Sequence, residues 1–424
     1  MNSTETITEV LHQVDSPAEI SEAAARLKRV VLDSEISPND VMAVFDSWAK
    51  RLETVELDDV PGIVFLRMWL RRGTLEPIIT RELGDKALQG GWTEAGRAEC
   101  KAFPVGVVGH WPAGNVDIQP ILSMTCSLVG GNAALVRVPS ALVDVTRGLM
   151  EKLYESDPKE VLTRRIFMAA FPHSRRDLQE AMAKGVDGAM VWGGEEAVSQ
   201  IRALPFPHWA RLAVFGPRIS IAAMDARAWT DPQERDSWCK RIARDVWQFD
   251  QQACSSPQVL FLEKAADHSI SEFLPVLQRA FEIENRAHPR LEIAGALTSS
   301  ITQARAAWLL GEPANRAAFP AGPDWTLLFG RGTEIPKPVQ GRTLAVLEVE
   351  NLLDPISKFD GNVQTLGLGI ADPGKEMQIA SLAGRRGVDR IVKLGRMHVF
   401  VPPWDGMDLI RPMVRMVRHV SSTD

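Results

Sequence analysis

The sequence predicts an α/β protein whose main element is an open, mostly parallel sheet. Between about residues 100 and 225, apolar runs of strand length alternate with helix-like segments. That alternation is typical of βαβ units, in which ligands bind at the carboxyl ends of the strands. The chain of 424 residues also exceeds the size at which one hydrophobic core keeps growing, so a second domain is expected.

The first 90 or so residues are predicted to be helical, because apolar positions recur at helical spacing, as over residues 20–32. Ser16 and Glu19 stand three residues apart and are typical of a capped helix start. Further along, a helix is predicted at 118–128, and 213–223 is predicted to form strand, turn and strand. The remaining strand predictions cover residues 103–110, 133–138, 165–170 and 188–192.

Composition excludes several classes of protein. A net charge of −6, with Lys and Arg scattered singly or in pairs, does not indicate a nucleic-acid surface. The four cysteines lack Cys-x-x-Cys spacing, which argues against a structural zinc site and a disulfide framework. Residues 1–9 are polar and acidic, unlike a signal peptide, and no apolar run reaches membrane-spanning length. We therefore expect a cytoplasmic protein without a membrane span.

Cys254 stands out among the four cysteines. It lies among small and polar residues between a helix-like run at 241–248 and Pro257, which places the thiol on a loop. Cys126, in contrast, lies inside an apolar run and has the surroundings of a core residue. Cys254 is therefore either a nucleophile or a loop cysteine without a role, and this segment alone leaves both open.

Other loop residues follow predicted strands. Gly193 and Gly194 stand between the strand at 188–192 and a helix whose first turn is acidic, where backbone N–H groups can meet a phosphate. The same pair is also common as a tight connection. Asn115 follows the first strand in a loop with Pro112 and Gly114, and either points its amide toward a site or bonds to its own backbone.

Several short segments occur in a characteristic order along the chain. In that order they resemble the aldehyde dehydrogenase superfamily, and within it the acyl-CoA reductases of bacterial bioluminescence (LuxC-like). The resemblance spans roughly residues 100–410, although 260–340 carries few of the motifs. The segments that carry it are 104–109 with Asn115, Gly131-Asn132, 136–140, 191–194, 215–220, 252–258, 363–367 and 387–395.

The resemblance implies an aldehyde-dehydrogenase-like architecture of two domains. The Rossmann-type nucleotide-binding domain would comprise residues 1–225 and 396–424, including the helical N-terminal segment. Residues 226–395 would form a second α/β domain, the catalytic domain, which carries Cys254. Members of the superfamily usually self-associate, so the resemblance also implies a homo-oligomer.

The resemblance further implies roles for individual residues. Cys254 would attack an acyl thioester, and the Asn115 amide and the Cys254 backbone N–H would stabilise the oxyanion. The residues implied to bind the cofactor are Arg137, Ser140, Trp192, Gly193 and Gly194. Ser140 stands where many NAD-preferring relatives carry a glutamate, and Arg137 could pair with a 2′-phosphate, so NADPH is expected, with NADH possible. No metal is required.

The direction of the reaction follows from a departure from the family pattern. Val214 occupies the position of the glutamate that activates water in aldehyde-oxidising members, and no acidic residue occurs between Glu196 and Asp225. The leading hypothesis is therefore NADPH-dependent reduction of an acyl-CoA or a carrier-bound acyl group to an aldehyde. The alternatives are a CoA-acylating or oxidative aldehyde dehydrogenase, and a non-catalytic scaffold that binds acyl carriers.

The acyl pocket and the partners are less well determined by the sequence. Large apolar walls for a long or aromatic acyl group are suggested by four tryptophans near the motifs, Trp111, Trp192, Trp209 and Trp247. The resemblance also leaves acyl-activating and acyl-transferring partner enzymes possible. The glutamate that would hold the nicotinamide ribose is not identified, and Glu348 or Glu350 lies in about the right region.

Overall fold

The computed structural model describes residues 10–95, 98–290 and 292–420. Residues 1–9, whose composition is unlike a signal peptide, lie outside this range. The described residues form two compact units, which are treated separately below. The first unit comprises the residues up to Gly216 and those from Phe400 onward, and the second is Pro217–Val399.

The strands divide between the two units. The first unit holds β1 to β8 and β16, and the second holds β9 to β15. In chain order the strands are β1 (His12–Gln13), β2 (Thr93–Ala95), β3 (Ala98–Pro104), β4 (Val107–Trp111), β5 (Ala133–Val138), β6 (Ile166–Ala170), β7 (Gly188–Trp192), β8 (Arg211–Phe215), β9 (Ile219–Met224), β10 (Pro257–Glu263), β11 (Arg316–Ala318), β12 (Thr326–Arg331), β13 (Thr343–Val349), β14 (Val363–Gly369), β15 (Arg390–Lys393) and β16 (Val414–His419).

Helices connect most of these strands, as expected for parallel sheets. In chain order they are α1 (Pro17–Asp33), α2 (Pro38–Arg51), α3 (Ile63–Trp69), α4 (Arg72–Leu83), α5 (Gln119–Val129), α6 (Val143–Ser156), α7 (Arg176–Gly185), α8 (Glu195–Arg202), α9 (Ala226–Thr230), α10 (Pro232–Trp247), α11 (Ile270–Ala287), α12 (Gly295–Leu310), α13 (Leu353–Ser357) and α14 (Pro373–Arg385). Helix α1 begins with the predicted capping box, in which Ser16 and Glu19 each accept the other's backbone N–H.

In the first unit, six strands form a parallel sheet in the order β1-β6-β5-β4-β7-β8. Strands β4 to β7 are almost entirely buried, which explains their continuous apolar sequences. Helices α1 and α7 cover one face and contribute Ile20, Leu27 and Leu178 to its core. A separate antiparallel sheet has the order β16-β3-β2.

In the second unit, seven strands have the order β11-β12-β13-β10-β9-β14-β15, and only β11 runs antiparallel to its neighbour. Helices α10 and α11 pack on one face, with Ile242 and Phe281 in their shared core. Helices α13 and α14 cover the other face through residues such as Ile356 and Ile379. The region 260–340, where motifs were scarce, thus supplies much of this unit.

The predicted strand at 103–110 is two strands in different sheets. β3 ends at Pro104 and β4 begins at Val107. Between them Gly106 has φ +136°, and a Cβ atom there would lie 2.2 Å from an Asp187 side-chain oxygen. Asp187 accepts the Val107 N–H at 3.1 Å, so the close approach that requires a glycine also fixes the start of β4.

The predicted boundary at residue 225 is likewise misplaced. Strand β9 pairs with β10 and β14, so residues 219–224 belong to the middle of the second sheet. The predicted strand, turn and strand at 213–223 exist as β8 and β9, but the turn at Gly216 and Pro217 joins two sheets. Local sequence predicts both strands and cannot identify their partners, because pairing depends on distant segments.

Among the residues that the structure describes, no helix combines the length and the apolar character needed to cross a lipid bilayer.

Candidate active site

Cys254 lies in a hydrogen-bonded turn at the amino end of β10. The Ser256 N–H donates to the Ala253 carbonyl at 2.9 Å, so Cys254 and Ser255 are the two central residues of the turn. Cys254 is partly exposed, whereas Cys126 and Cys239 are buried. The predicted loop position of Cys254 and the predicted core position of Cys126 are therefore confirmed.

A left-handed turn separates α10 from the Cys254 turn. Phe249, Asp250 and Gln251 have φ values of 54°, 53° and 61°. Each non-glycine residue in this conformation costs roughly 1–2 kcal/mol, and three in a row persist only if the surroundings impose them. This turn connects the helix to the segment that carries Cys254 and leads into β10.

Asp250 is held by two arginines from distant segments. Arg290 and Arg342 donate to the same Asp250 carboxylate oxygen at 2.8 and 2.7 Å. The two arginine side chains are only 6% and 8% exposed. Burial lowers the pKa of Arg342, and the negative charge of Asp250 opposes that shift. The carboxylate is thus the counter-charge for two desolvated cations.

Gln251 fixes the end of the left-handed turn. Its buried side-chain amide donates to the carbonyls of Pro257 and Thr343, each at 2.8 Å. Its side-chain oxygen accepts the Thr343 N–H at 2.6 Å. One amide therefore joins the turn to the start of β10 and the start of β13, two neighbouring strands.

The peptide unit between Cys254 and Ser255 is held from both sides. The Ser220 hydroxyl donates to the Cys254 carbonyl at 2.7 Å, and Ser220 lies on β9. The Ser255 hydroxyl lies 2.9 Å from Nδ1 of His398. Both side chains are buried, so these contacts are protected from water.

The hydrogen bonds of His398 define its tautomer. Its Nε2 lies 2.7 Å from the Asp245 carbonyl, which can only accept, so Nε2 carries the proton. Burial lowers the pKa of His398 to about 4, so the ring is neutral near pH 7 and Nδ1 accepts the Ser255 hydroxyl. The Asp245 side chain also accepts the Gly395 N–H at 2.6 Å, so the loop that carries Gly395 and His398 is joined to α10. Burial raises the pKa of the Asp245 carboxyl to about 7.

The predicted cofactor residues are brought together at one edge of the first sheet. Strands β5, β4 and β7 are neighbours and parallel, so the loops after them leave the same edge. Arg137 is near the end of β5, Ser140 follows it, and Trp192 ends β7 with Gly193 and Gly194 after it.

Asn115 lies at the same edge, in the exposed loop after β4. This loop runs beside the segment after β5, since a Cβ atom on Gly114 would lie 3.5 Å from Pro139. The first unit thus gathers six of the seven predicted site residues. The seventh, Cys254, belongs to the second unit.

Arg137 has the properties expected of an anion ligand. Its guanidinium carbon lies 5.8 Å from the centre of the Phe171 ring, and burial lowers the pKa of the side chain. Its buried Nε atom has no hydrogen-bond partner among the described residues. A buried donor without a partner is costly, and a bound phosphate would satisfy it.

The two glycines after β7 differ. The Gly193 N–H donates to the Phe215 carbonyl at 3.3 Å, and a Cβ atom at Gly193 would lie 3.3 Å from Ala197. Gly194 is exposed, caps α8, and would have no atom within 4 Å of an added Cβ. Space for a phosphate beside the backbone N–H groups of a helix start is therefore found at Gly194 and the first turn of α8.

Trp192 faces inward. Its indole N–H donates to Ser123 at 2.8 Å, and its ring stacks on Phe215 with centroids 3.7 Å apart. Ser123 in turn lies 2.8 Å from Nδ1 of the fully buried His110. The indole N–H of Trp192 is therefore already hydrogen-bonded within the protein, and its ring packs under the carboxyl edge of the sheet, on Phe215.

The tryptophans predicted as acyl-pocket walls are mostly core residues. Trp111, Trp192 and Trp247 are 1%, 7% and 6% exposed and pack within hydrophobic clusters or on their neighbours. Only Trp209, at 59%, presents a large apolar surface. Glu348 and Glu350, considered for the nicotinamide ribose, are paired with Arg331 and Lys264 respectively.

Sequence reasoning missed Asp250, Gln251, Ser220 and His398. Asp250 and Gln251 adjoin the Cys254 segment, and their polar side chains after a helix were the available signal. Nothing local distinguishes Ser220 or His398, because their partners are 34 and 143 residues away. In the described part of the chain, no group of three or more His, Cys, Asp or Glu is placed to hold a metal ion.

Comparisons with known proteins identify the family of the chain. A family model described as acyl-CoA reductase (LuxC) matches residues 39–418. The long-chain acyl-protein thioester reductase of Vibrio harveyi is 25% identical over 359 residues, covering 82% of this chain and 71% of that protein.

Solved structures show the fold. An aldehyde dehydrogenase of Mycobacterium tuberculosis complexed with NAD+ has a TM-score of 0.70 and 14% identity, covering 96% of this chain and 91% of that one. A mutant of proline utilization A from Bradyrhizobium japonicum has a TM-score of 0.68 and 16% identity. The match covers 98% of this chain and 46% of that one, so this chain spans about half the length of that protein. These similarities confirm the predicted aldehyde-dehydrogenase-like α/β fold.

We expect Asp250→Asn to lower the free energy of unfolding by about 3 kcal/mol, because it leaves two buried guanidinium groups without a counter-charge. Urea unfolding followed by circular dichroism measures the change. Glu350→Gln, which breaks the exposed pair with Lys264, is the control and should change stability by less than about 0.5 kcal/mol. Equal effects of the two substitutions would contradict the role of Asp250.

Proposed function

Because the chain belongs to the acyl-CoA reductase (LuxC) family, we propose that it reduces an acyl thioester to an aldehyde with NADPH, through an acyl group held on Cys254. The acyl group would be carried by CoA or by a carrier protein. The name of the Vibrio harveyi relative gives a long-chain acyl-protein thioester as the substrate of that protein. The observation that carries the proposal is the partly exposed Cys254, fixed in a turn whose backbone is held on both sides.

The first step is transfer of the acyl group to the protein. The Cys254 thiolate attacks the thioester carbonyl, the new S–C bond forms, and the carrier thiolate leaves and takes up a proton. One thioester replaces another, so the exchange is close to thermoneutral. A turn with a fixed backbone favours this step, because a near-attack geometry does not have to be found anew in each turnover.

In the reductive step a hydride would add to the carbonyl carbon of the acyl-Cys254 thioester, and the electrons of the C=O π bond would move to the oxygen, which becomes negatively charged. We assign its stabilisation to the Asn115 side-chain amide and the Cys254 backbone N–H. Losing one such donor typically costs about 3–4 kcal/mol of barrier. Collapse of the tetrahedral species then expels the Cys254 thiolate and releases the aldehyde.

The cofactor residues proposed are Arg137, Ser140, Gly193 and Gly194. Trp192 would hold the end of β7 in place through its contacts with Ser123 and Phe215. A reduced nicotinamide nucleotide supplies the hydride in this reaction. The unpartnered Nε of Arg137 and the open surface at Gly194 support binding of phosphate groups at this edge. Ser140 places no carboxylate there, which favours a 2′-phosphate and therefore NADPH.

Water is a poor competitor in the proposed reaction. Val214, half-buried on β8, offers no general base. The nearest following carboxylate in sequence, Asp225, already accepts the N–H groups of Ala228 and Ala371. The acyl-enzyme should therefore wait for hydride or a thiol. A self-associated enzyme working with acyl-activating or acyl-transferring partners fits this chemistry.

The covalent intermediate can be tested by intact mass spectrometry without a reductant. Acyl-CoAs of increasing chain length and aromaticity should each add one acyl mass to the wild type, and Cys254→Ser should show no adduct. Cys100→Ser, at another partly exposed cysteine, is the control and should retain the adduct. A wild type that never acquires an acyl group would support the scaffold alternative.

The direction of the reaction can be tested by product analysis. Acyl-CoA with NADPH should give aldehyde. Aldehyde with NADP+ should give acyl-CoA when CoA is present and at least about 100-fold less free acid when it is absent, since a general base typically contributes that factor or more. Rapid free-acid formation without CoA would contradict the argument from Val214.

The cofactor preference predicts the effect of Arg137→Glu. Removing a charge-assisted contact and adding a repulsive carboxylate should raise the KM for NADPH about tenfold or more, with a smaller change for NADH. Arg164→Glu, at an exposed arginine, is the control. Equal changes for the two cofactors would reject the assignment of Arg137 to the 2′-phosphate.

A further inference from the structure

We propose that His398 is a positioning residue for Cys254, an inference that rests on the proposed nucleophilic role of that cysteine. His398 does not adjoin Cys254 in sequence, and its ring is buried. Its Nδ1 accepts the hydroxyl of Ser255, the residue that directly follows Cys254, at 2.9 Å. His398 therefore acts on the nucleophile through the turn that carries it.

The argument begins with the peptide unit that joins Cys254 and Ser255. This unit lies at the centre of the turn closed by the bond from the Ser256 N–H to the Ala253 carbonyl. Ser220 fixes its oxygen side by donating to the Cys254 carbonyl. His398 holds the side chain of Ser255, so a different conformation of the turn would break at least one of two buried hydrogen bonds.

The orientation of His398 is itself fixed. Nε2 donates to the Asp245 carbonyl at 2.7 Å, and the Asp245 carboxylate accepts the Gly395 N–H. The ring centroid lies 5.5 Å from that of Phe249, the first residue of the left-handed turn. One imidazole thus contacts the end of α10, the left-handed turn and the Cys254 turn.

This arrangement makes the two ring nitrogens distinguishable by substitution. The side chain of Asn can place an oxygen near the position of Nδ1, so His398→Asn keeps an acceptor for Ser255 and loses the bond to Asp245. The longer side chain of Gln can reach the position of Nε2, so His398→Gln keeps the bond to Asp245 and loses the acceptor for Ser255. A purely structural role predicts similar losses from both.

The main measurement is the rate at which dodecanoyl-CoA acylates Cys254, followed by intact mass spectrometry over a range of acyl-CoA concentrations. We expect His398→Gln and Ser255→Ala each to lower the limiting rate about tenfold or more, since small misplacements of a reacting group have effects of this order. The concentration for half-saturation should change little. His398→Asn should stay within about threefold of the wild type, because the Ser255 contact is the one that matters.

The double variant Ser255→Ala/His398→Gln completes the test. If both residues act through one contact, its rate should equal that of the slower single variant and not the product of the two effects. Urea unfolding of the Asn and Gln variants separates stability from positioning. Equal acylation rates for His398→Asn and His398→Gln, or a wild-type rate for Ser255→Ala, would overturn the proposal.

A second reagent distinguishes failure of this inference from failure of the proposed function. Iodoacetamide alkylates Cys254 without any acyl chemistry, and peptide mass spectrometry can follow Cys254 and Cys100 separately. We expect the same order of variants for Cys254, with Cys100 unchanged as the internal reference. A wild type that is not acylated, with this order preserved, would reject the proposed function and retain the positioning role. Normal acylation of the wild type, with equal alkylation rates for all variants, would reject the positioning role of His398 and retain the proposed function.

Discussion

The ion pairs of Asp250 with Arg290 and Arg342 are the constraint on which the candidate nucleophile depends. A left-handed turn of Phe249, Asp250 and Gln251 is unfavourable in isolation, and two buried guanidinium groups are unfavourable without a counter-charge. The two ion pairs offset both costs, and they form only when the turn places the Asp250 carboxylate between the arginines. These ion pairs therefore hold the path of the chain from α10 to β10, and with it the position of Cys254.

The two units present their functional residues in different ways. In the first, residues of three neighbouring strands meet because parallel strands leave a sheet at one edge, so the topology alone assembles Asn115, Arg137 and Gly194. In the second, Cys254 precedes β10 at the amino edge of a parallel sheet, beside Ser220 on the neighbouring strand β9. Its surroundings are built by side-chain contacts from Ser220, Gln251 and His398.

Much of the fold could be predicted from the sequence, because strands buried on both faces, such as β5 and β7, have continuous apolar sequences. The boundary of the first unit could not, since β9 is assigned by pairing with distant strands. The loop positions of Cys254 and the glycines followed from local signals. The inward orientation of Trp192 did not, because it depends on Ser123 across the packed core. The left-handed turn has no glycine to signal it and is imposed by residues 40 and 92 positions away.

The wide sequence separation of the groups around Cys254 has a consequence during synthesis of the protein. Gln251 contacts Thr343, and Ser255 contacts His398, so these contacts can form only after residues 343 and 398 have been synthesised. The turn that holds the proposed nucleophile is therefore completed late, when residues 343 and 398 take their places in the fold.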